Sequence, residues 1–158
     1  MLSNKTRSYT FLFLLRIGLG WLFLHEGLTK LLQSDWSSYY YMQNATGPLR
    51  TFLTWISADE GLLQFTDYTI IFLLVGIGIS LILGLFERIG SVLGMLLLGM
   101  FYLAYPPFGD KFLPVAEGNY FIVDKNLILF FGLLVVWQFR SGLVLGLDSF
   151  FKRKKRIE

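Results

Sequence analysis

The sequence predicts an all-α membrane protein, a bundle of four transmembrane helices. Of its 158 residues, 54% are hydrophobic and only 16% are charged, a balance far from that of a soluble domain. Four apolar stretches carry this excess, and crossing the hydrocarbon core of a bilayer takes about 20 helical residues. Basic residues are also divided unequally between the two predicted sides of the membrane, which is typical of membrane proteins.

The four helices are predicted within one domain that covers residues 1–158. The first two apolar stretches are long enough as they stand, and the last two become so when they extend into their flanks. Only Glu87 and Arg88 connect the second helix to the third, so these two helices must pack antiparallel. The predicted spans are residues 9–33, 67–86, 89–105 and 124–140.

A short amphipathic helix is predicted in the first outer loop, between the first two spans. Pro48 suits the first turn of this helix, and Asp59 marks its end. Apolar residues recur at helical spacing between them, which indicates a helix that lies on the outer membrane surface. These residues are Leu49, Phe52, Leu53, Trp55 and Ile56.

Small residues recur along the second and third helices, where they predict close helix packing. Gly76, Ser80 and Gly84 are spaced four residues apart, and Gly90 and Gly94 repeat this spacing in the third helix. The same faces would also permit a homo-oligomer.

The charged residues predict that both termini lie in the cytoplasm, and the membrane is expected to be the cytoplasmic (inner) membrane of a bacterium. In this orientation ten Lys and Arg residues lie on the inner side and four on the outer side. The basic tail, residues 152–158, is expected to rest on anionic lipid head groups. Membrane lipids are therefore expected partners, and nucleic acid is not.

The first helix carries four ionisable residues, which cost about 3 kcal/mol each at the centre of a membrane. They are Arg16, His25, Glu26 and Lys30. At about 100° per residue, Lys30 and Arg16 share a face with Glu26, and His25 lies at the edge of that face. Glu26 precedes Lys30 by four residues, the favourable order for an ion pair along a helix. Arg16 has two interpretations, a place in this polar stripe or an anchor that reaches lipid phosphates.

This stripe predicts a polar pocket on the outer side of the bundle. His25 and Glu26 would carry protons and Lys30 would stabilise negative charge, so these three are the candidate catalytic residues. Aromatic walls would suit a flat, lipophilic, hydrogen-bonding molecule such as a quinone. The candidate ligand-binding residues are Arg16, Trp21, Tyr102, Tyr105, Glu117, Asn119, Tyr120, Asp124, Lys125 and Asn126.

Several other chemistries are excluded by what the sequence lacks. It contains no cysteine, which removes thiol catalysis and thiolate metal sites. It also contains no phosphate-binding loop, no catalytic triad signature and no cluster of metal ligands, so neither a metal nor a nucleotide is expected. A redox role would therefore depend on a quinone or another bound cofactor.

Segments along nearly the whole chain resemble the DoxX family, whose best-defined branch is the DoxD subunit of thiosulfate:quinone oxidoreductase. The first helix matches at residues 15–31 (LRIGLGWLFLHEGLTKL), and the turn before the third helix matches at residues 84–90 (GLFERIG). Further matches are Trp36-Ser37-Ser38, Gly47-Pro48-Leu49, Pro106-Pro107 and residues 117–128 (EGNYFIVDKNLI).

The resemblance implies a four-helix membrane bundle and an oxidoreductase subunit of the thiosulfate:quinone type, which works with a second redox subunit. Three functions stay open. The first is a quinone-binding subunit of a membrane redox complex. The second is a non-catalytic scaffold or accessory subunit whose buried ion pairs select one helix arrangement. The third is a small-molecule transporter, which fits least well because four helices offer no inverted repeat.

Overall fold

The computed structural model of the protein describes residues 4–107, 119–120, 122–139, 142 and 146–148, with side chains from Ser8 onward except at 119 and 120. In these ranges the chain forms helices and one short two-stranded ladder. The elements are α1 (Asn4–Leu32), α2 (Tyr39–Gln43), α3 (Arg50–Ala58), α4 (Glu60–Leu83), α5 (Glu87–Ala104), β1 (Asn119–Tyr120), β2 (Val123–Asp124) and α6 (Lys125–Phe139), with β1 and β2 antiparallel.

The four long helices form a closed bundle. Helix α1 packs against α4, α4 against α5, α5 against α6, and α6 returns to α1. Their shared core is apolar and includes Leu19, Phe23, Ile77, Leu81 and Leu133. The predicted all-α membrane bundle is therefore confirmed. Arg16 and Lys30 lie about 21 Å apart along α1 and mark opposite ends of the bundle, called here the Arg16 end and the Lys30 end.

Three of the described helices are long and apolar enough to cross a membrane by length and composition. They are α1 from Ser8 to Leu32, α4 and α5. Only 28% to 39% of the residues in their apolar windows are buried inside the protein, so most of these side chains face outward, as contact with lipid requires. Helix α6 has 15 residues and is shorter, with a rise of roughly 22 Å at 1.5 Å per residue.

Helix α4 begins at Glu60, whereas the sequence placed its start at residue 67. Asp59 explains the difference, because its side chain accepts a hydrogen bond from the Leu62 N–H at 2.8 Å and so caps the helix before the apolar stretch begins. The helix thus extends through a polar first turn that hydropathy alone does not mark.

The predicted turn at Glu87 and Arg88 is wrong, because both residues lie in α5. Gly84, Leu85 and Phe86 form the turn instead. Gly84 has a φ of 62°, and the Leu85 N–H donates to the Ser80 carbonyl at 3.1 Å, which closes the end of α4 as a Schellman motif. Glu87 therefore enters the first turn of α5, where it is buried.

The loop between α1 and α4 folds into α2 and α3, which cover the Lys30 end. Helix α3 confirms the predicted amphipathic helix, since Leu53 is buried while Phe52 and Trp55 are exposed and stacked at 6.2 Å between ring centroids. The loop is joined to α5 through Gly47, whose N–H donates to the Ala104 carbonyl at 2.9 Å. This contact brings the loop directly over the end of the bundle.

The predicted small-residue packing face is correct for Gly90 and wrong for Gly76. A Cβ added to Gly90 would lie 2.5 Å from the Ser80 hydroxyl, whereas a Cβ at Gly76 would meet nothing within 4 Å. The closely packed glycine of α4 is Gly78, where an added Cβ would lie 2.6 Å from the backbone of Leu24 in α1. The α1–α4 contact therefore uses the face of α4 that contains Gly78.

Replacing Gly78 with alanine is expected to destabilise the protein by about 1–3 kcal/mol, because the methyl group would collide with rigid backbone in the neighbouring helix. Gly76→Ala is the matched control on the same helix, and it should leave the free energy of unfolding unchanged or raise it. Both are measured by unfolding in detergent micelles. Equal losses in the two variants would contradict the assigned packing face.

Candidate functional site

The four ionisable residues of α1 do not form one continuous site. Arg16 is fully buried in the face that packs against the bundle, whereas the side chains of Glu26 and Lys30 are 50% and 19% exposed. His25 is exposed. Around the axis of α1, Arg16 is rotated about 80° from Glu26 towards the core, and His25 is rotated about 100° in the other direction. Arg16 and His25 therefore cannot face the same pocket.

At the Lys30 end, an ion pair joins two of the predicted catalytic residues. The Lys30 ammonium donates a hydrogen bond to Glu26 Oε1, as their four-residue spacing predicts. The same ammonium lies 5.1 Å from the ring centroid of Trp36, within the range of a cation–π contact. Lys30 is thus held by a carboxylate of its own helix and by an indole ring from the following loop.

His25 precedes Glu26 in sequence, and its ring lies beside that of Trp21 on an outward face of α1. Their ring centroids are 6.3 Å apart, and the Trp21 side chain is 59% exposed. Because α1 is one of the helices suited to span a membrane, this face is open to lipid or to a molecule dissolved in it. An imidazole and a carboxylate are therefore adjacent in sequence and both accessible from the side of the bundle.

Asp67 of α4 holds the loop that carries Trp36, a contact that the sequence analysis did not predict. Its carboxylate accepts hydrogen bonds from the Ser37 hydroxyl at 2.9 Å, from the Ser38 N–H at 3.0 Å and from the Ser38 hydroxyl. The only sequence signal was the Trp36-Ser37-Ser38 segment, since two adjacent hydroxyls after a helix are suited to bind a carboxylate.

The predicted ligand-binding residues at the ends of α5 and α6 make contacts that hold the loops at the Lys30 end. The Tyr102 hydroxyl donates to the Ile122 carbonyl at 3.0 Å, and the Tyr105 hydroxyl donates to the Tyr41 carbonyl at 2.7 Å. Both tyrosines thus fasten loop backbone to the end of α5.

Asp124 caps the start of α6. It accepts a hydrogen bond from the Leu127 N–H at 2.8 Å and another from the Asn126 side chain at 2.9 Å. Lys125 is exposed. Glu117 and the side chains of Asn119 and Tyr120 lie outside the described part of the chain, so their place in the predicted site stays a prediction.

At the Arg16 end, a buried ion pair crosses the bundle. One guanidinium nitrogen of Arg16 lies 3.8 Å from Glu87 Oε2, and both side chains are at most 3% exposed. The same carboxylate oxygen accepts a hydrogen bond from the Gly142 N–H. The prediction that Arg16 belongs to the outer pocket with Lys30 is wrong, because Arg16 lies 14 residues away along α1, at the opposite end, where its side chain is buried in the core.

The chain after α6 completes this cluster. The Asp148 carboxylate accepts hydrogen bonds from the N–H groups of Phe86 and Glu87, at 3.1 and 3.4 Å, and so caps α5. The Asp148 N–H donates to the Gly84 carbonyl at 3.0 Å. A Cβ added to Gly84 would lie 2.7 Å from the Arg16 guanidinium. Only glycine combines this close approach with a positive φ at the turn.

A family model matches this chain over the first three long helices. The DoxX family model matches residues 11–105, which is more than half of the chain. The chain belongs to the DoxX family. A search of curated proteins and a search of solved structures each found no match.

The family match contains both partners of each ion pair in this DoxX protein. Glu26 and Lys30 lie within it, as do Arg16 and Glu87. The match ends at Tyr105, before α6 and before the Asp148 cap. Residues beyond the matched region therefore complete the buried cluster at the Arg16 end.

Glu87→Gln is expected to destabilise this DoxX protein by about 3–5 kcal/mol, because it removes the charge paired with the buried Arg16 guanidinium. Arg16→Met combined with Glu87→Gln should recover part of that loss. Arg88→Met removes an exposed charge next to Glu87 and should cost about 1 kcal/mol or less. Denaturant unfolding in micelles measures all of these variants, and an unaffected Glu87→Gln would refute the role of the pair.

Burial raises the pKa of Tyr41, with further contributions from Tyr105 and Asp124, and burial also raises the pKa of Tyr105. The folded protein therefore keeps these phenol protons above pH 10.0, where an unfolded tyrosine loses its proton. The free energy of unfolding consequently falls as the pH rises above 10.

Tyr41→Phe should weaken this loss of stability, because it removes one of the two groups that cause it. The measurement is the melting temperature as a function of pH between neutrality and the alkaline range. Phe101→Leu is the control, since Phe101 contacts the Tyr41 ring at 5.8 Å but carries no proton. Phe101→Leu should lower the melting temperature equally at every pH. If the melting temperature of Tyr41→Phe falls with pH as steeply as that of the wild type, Tyr41 does not cause the alkaline loss of stability.

Proposed function

We propose that this DoxX-family membrane protein binds a quinone or a similar lipophilic, hydrogen-bonding molecule at the Lys30 end. The observation that carries the proposal is the Glu26–Lys30 ion pair, which is accessible on the side of α1 rather than enclosed within the bundle. The Trp36 ring lies over the Lys30 ammonium, and the Trp21 ring lies beside His25, the sequence neighbour of Glu26. Such a surface combines the flat apolar contacts and the few polar groups that a quinone ring needs.

Each residue has a distinct part in this binding site. The Lys30 ammonium would stabilise the negative charge that develops on a quinone oxygen during reduction. Glu26 and His25 would transfer the protons that accompany that reduction, because both groups can exchange protons and both are exposed. The electrons would come from a second redox subunit, so the protein would act within a membrane complex.

The proposal includes an orientation in which both termini face the cytoplasm of a bacterial cell. The unequal distribution of Lys and Arg between the two ends supports it. The quinone site would then lie near the outer surface of the inner membrane. The α3 helix beside it, with Phe52 and Trp55 exposed, is suited to the head-group region of the bilayer.

The second candidate function is a non-catalytic scaffold or accessory subunit. The observation that favours it is the Arg16–Glu87 pair, which is buried and bonded within the protein and therefore unavailable to a ligand. A buried pair of this kind favours one arrangement of helices over others. Under this function the exposed face of α1 would bind a helix of a partner subunit instead of a quinone.

A short-chain ubiquinone analogue should raise the melting temperature of the purified protein by roughly 5 °C at a concentration near 100 times its Kd. In Glu26→Gln the shift should be much smaller, because the substitution removes the carboxylate that orients Lys30. Glu60→Gln is the matched control, since it removes an exposed acidic side chain elsewhere at the same end of the bundle.

The outcomes separate the two functions. A shift in the wild type and in Glu60→Gln, but not in Glu26→Gln, supports quinone binding at this site. No shift in the wild type overturns the proposal. A stable partner that dissociates when Glu26 is replaced would then favour the accessory subunit.

A further inference from the structure

Asp67 is the point where α4 contacts the loop between α1 and α2. Three hydrogen bonds from Ser37 and Ser38 converge on its carboxylate, two from hydroxyls and one from a backbone N–H. Bonds to an ionised carboxylate are stronger than bonds between neutral groups. Ser38 is buried, so water does not readily replace Asp67 as its partner.

These bonds fix the residue that precedes the two serines. Trp36 adjoins Ser37, and the backbone N–H of Trp36 donates to the Gln33 carbonyl at 3.1 Å. The loop is therefore held on both sides of Trp36, by the end of α1 and by Asp67 of α4. The Trp36 ring that is held in this way has its centroid 5.1 Å from the Lys30 ammonium.

We propose that Asp67 is a positioning residue for the quinone site. It acts through the Ser37–Ser38 segment and Trp36 to set the location of the Lys30 ammonium. This inference rests on the proposed function, because quinone is the ligand whose affinity it would change. It goes beyond that function by assigning a role to a residue on α4 that lies outside the polar stripe of α1.

The affinity of the site depends on the directions in which the Lys30 side chain can point. Glu26 lies on the same helix as Lys30 and cannot by itself prevent the pair from turning outward into solvent or lipid head groups. A fixed indole ring supplies a second contact from a different element. Restricting a long side chain before the ligand arrives reduces the entropy that binding must remove. Asp67 would thus raise affinity without contacting the quinone.

Asp67→Asn should weaken binding of the short-chain ubiquinone analogue about tenfold, which corresponds to about 1.4 kcal/mol. The variant keeps the shape of the side chain but removes the charge that strengthens its hydrogen bonds. In a Lys30→Met background the same substitution should cause no further loss, because its effect passes through Lys30. A purely structural role would instead give additive losses in this cycle.

Asp59→Asn is the matched control. It also neutralises a carboxylate of the α4 region, yet asparagine retains the helix cap, so quinone affinity should stay at the wild-type level. Ser38→Ala is the second test variant, because it leaves the Asp67 charge in place and removes only a bond to it. Its affinity loss should have the same direction and a smaller size.

The position of Trp36 is measured separately, without ligand. Trp21, Trp55 and Trp137 are replaced by phenylalanine, which leaves Trp36 as the sole indole of a chain that has four. Its fluorescence emission should change in Asp67→Asn and stay constant in Asp59→Asn. An unchanged emission, or full quinone affinity in Asp67→Asn, overturns this inference alone. Absence of quinone binding in the wild type overturns the proposed function, and the inference with it.

Discussion

The buried pair between Arg16 and Glu87 is the constraint on which the rest of the bundle depends. A charged guanidinium inside an apolar bundle is tolerated only next to a counter-charge, so α1 and the start of α5 must meet at this point. Glu87 can reach it because the preceding turn uses a left-handed Gly84. Asp148 then caps α5 and joins the end of the chain to the same cluster.

The two ends of α1 use charge in opposite ways. At the Arg16 end the ion pair is enclosed, and its carboxylate also accepts a hydrogen bond from a backbone N–H. At the Lys30 end the pair reaches the surface, and Glu26 keeps half of its area exposed. An enclosed pair favours one arrangement of helices, whereas an accessible pair in an aromatic setting retains the capacity to bind a ligand.

Much of the fold could be predicted because it depends on local pattern. Apolar stretches gave the long helices, and the spacing of Glu26 and Lys30 gave their ion pair. The predicted limits of α4 were wrong because hydropathy marks lipid contact rather than the helix cap that Asp59 provides. The packing assigned to Gly76 was wrong because spacing on one helix does not determine which face meets its neighbour.

By itself, the sequence determined that this protein is an all-α membrane bundle and that Glu26 and Lys30 pair on its first helix. Only the tertiary structure decided that Arg16 pairs with Glu87 and that Asp67 binds the serines after Trp36. The physical reason is the distance along the chain between the residues in contact. Contacts within one helix follow from its regular geometry, whereas contacts between distant helices depend on their relative rotation and depth, which the packing of the whole bundle sets.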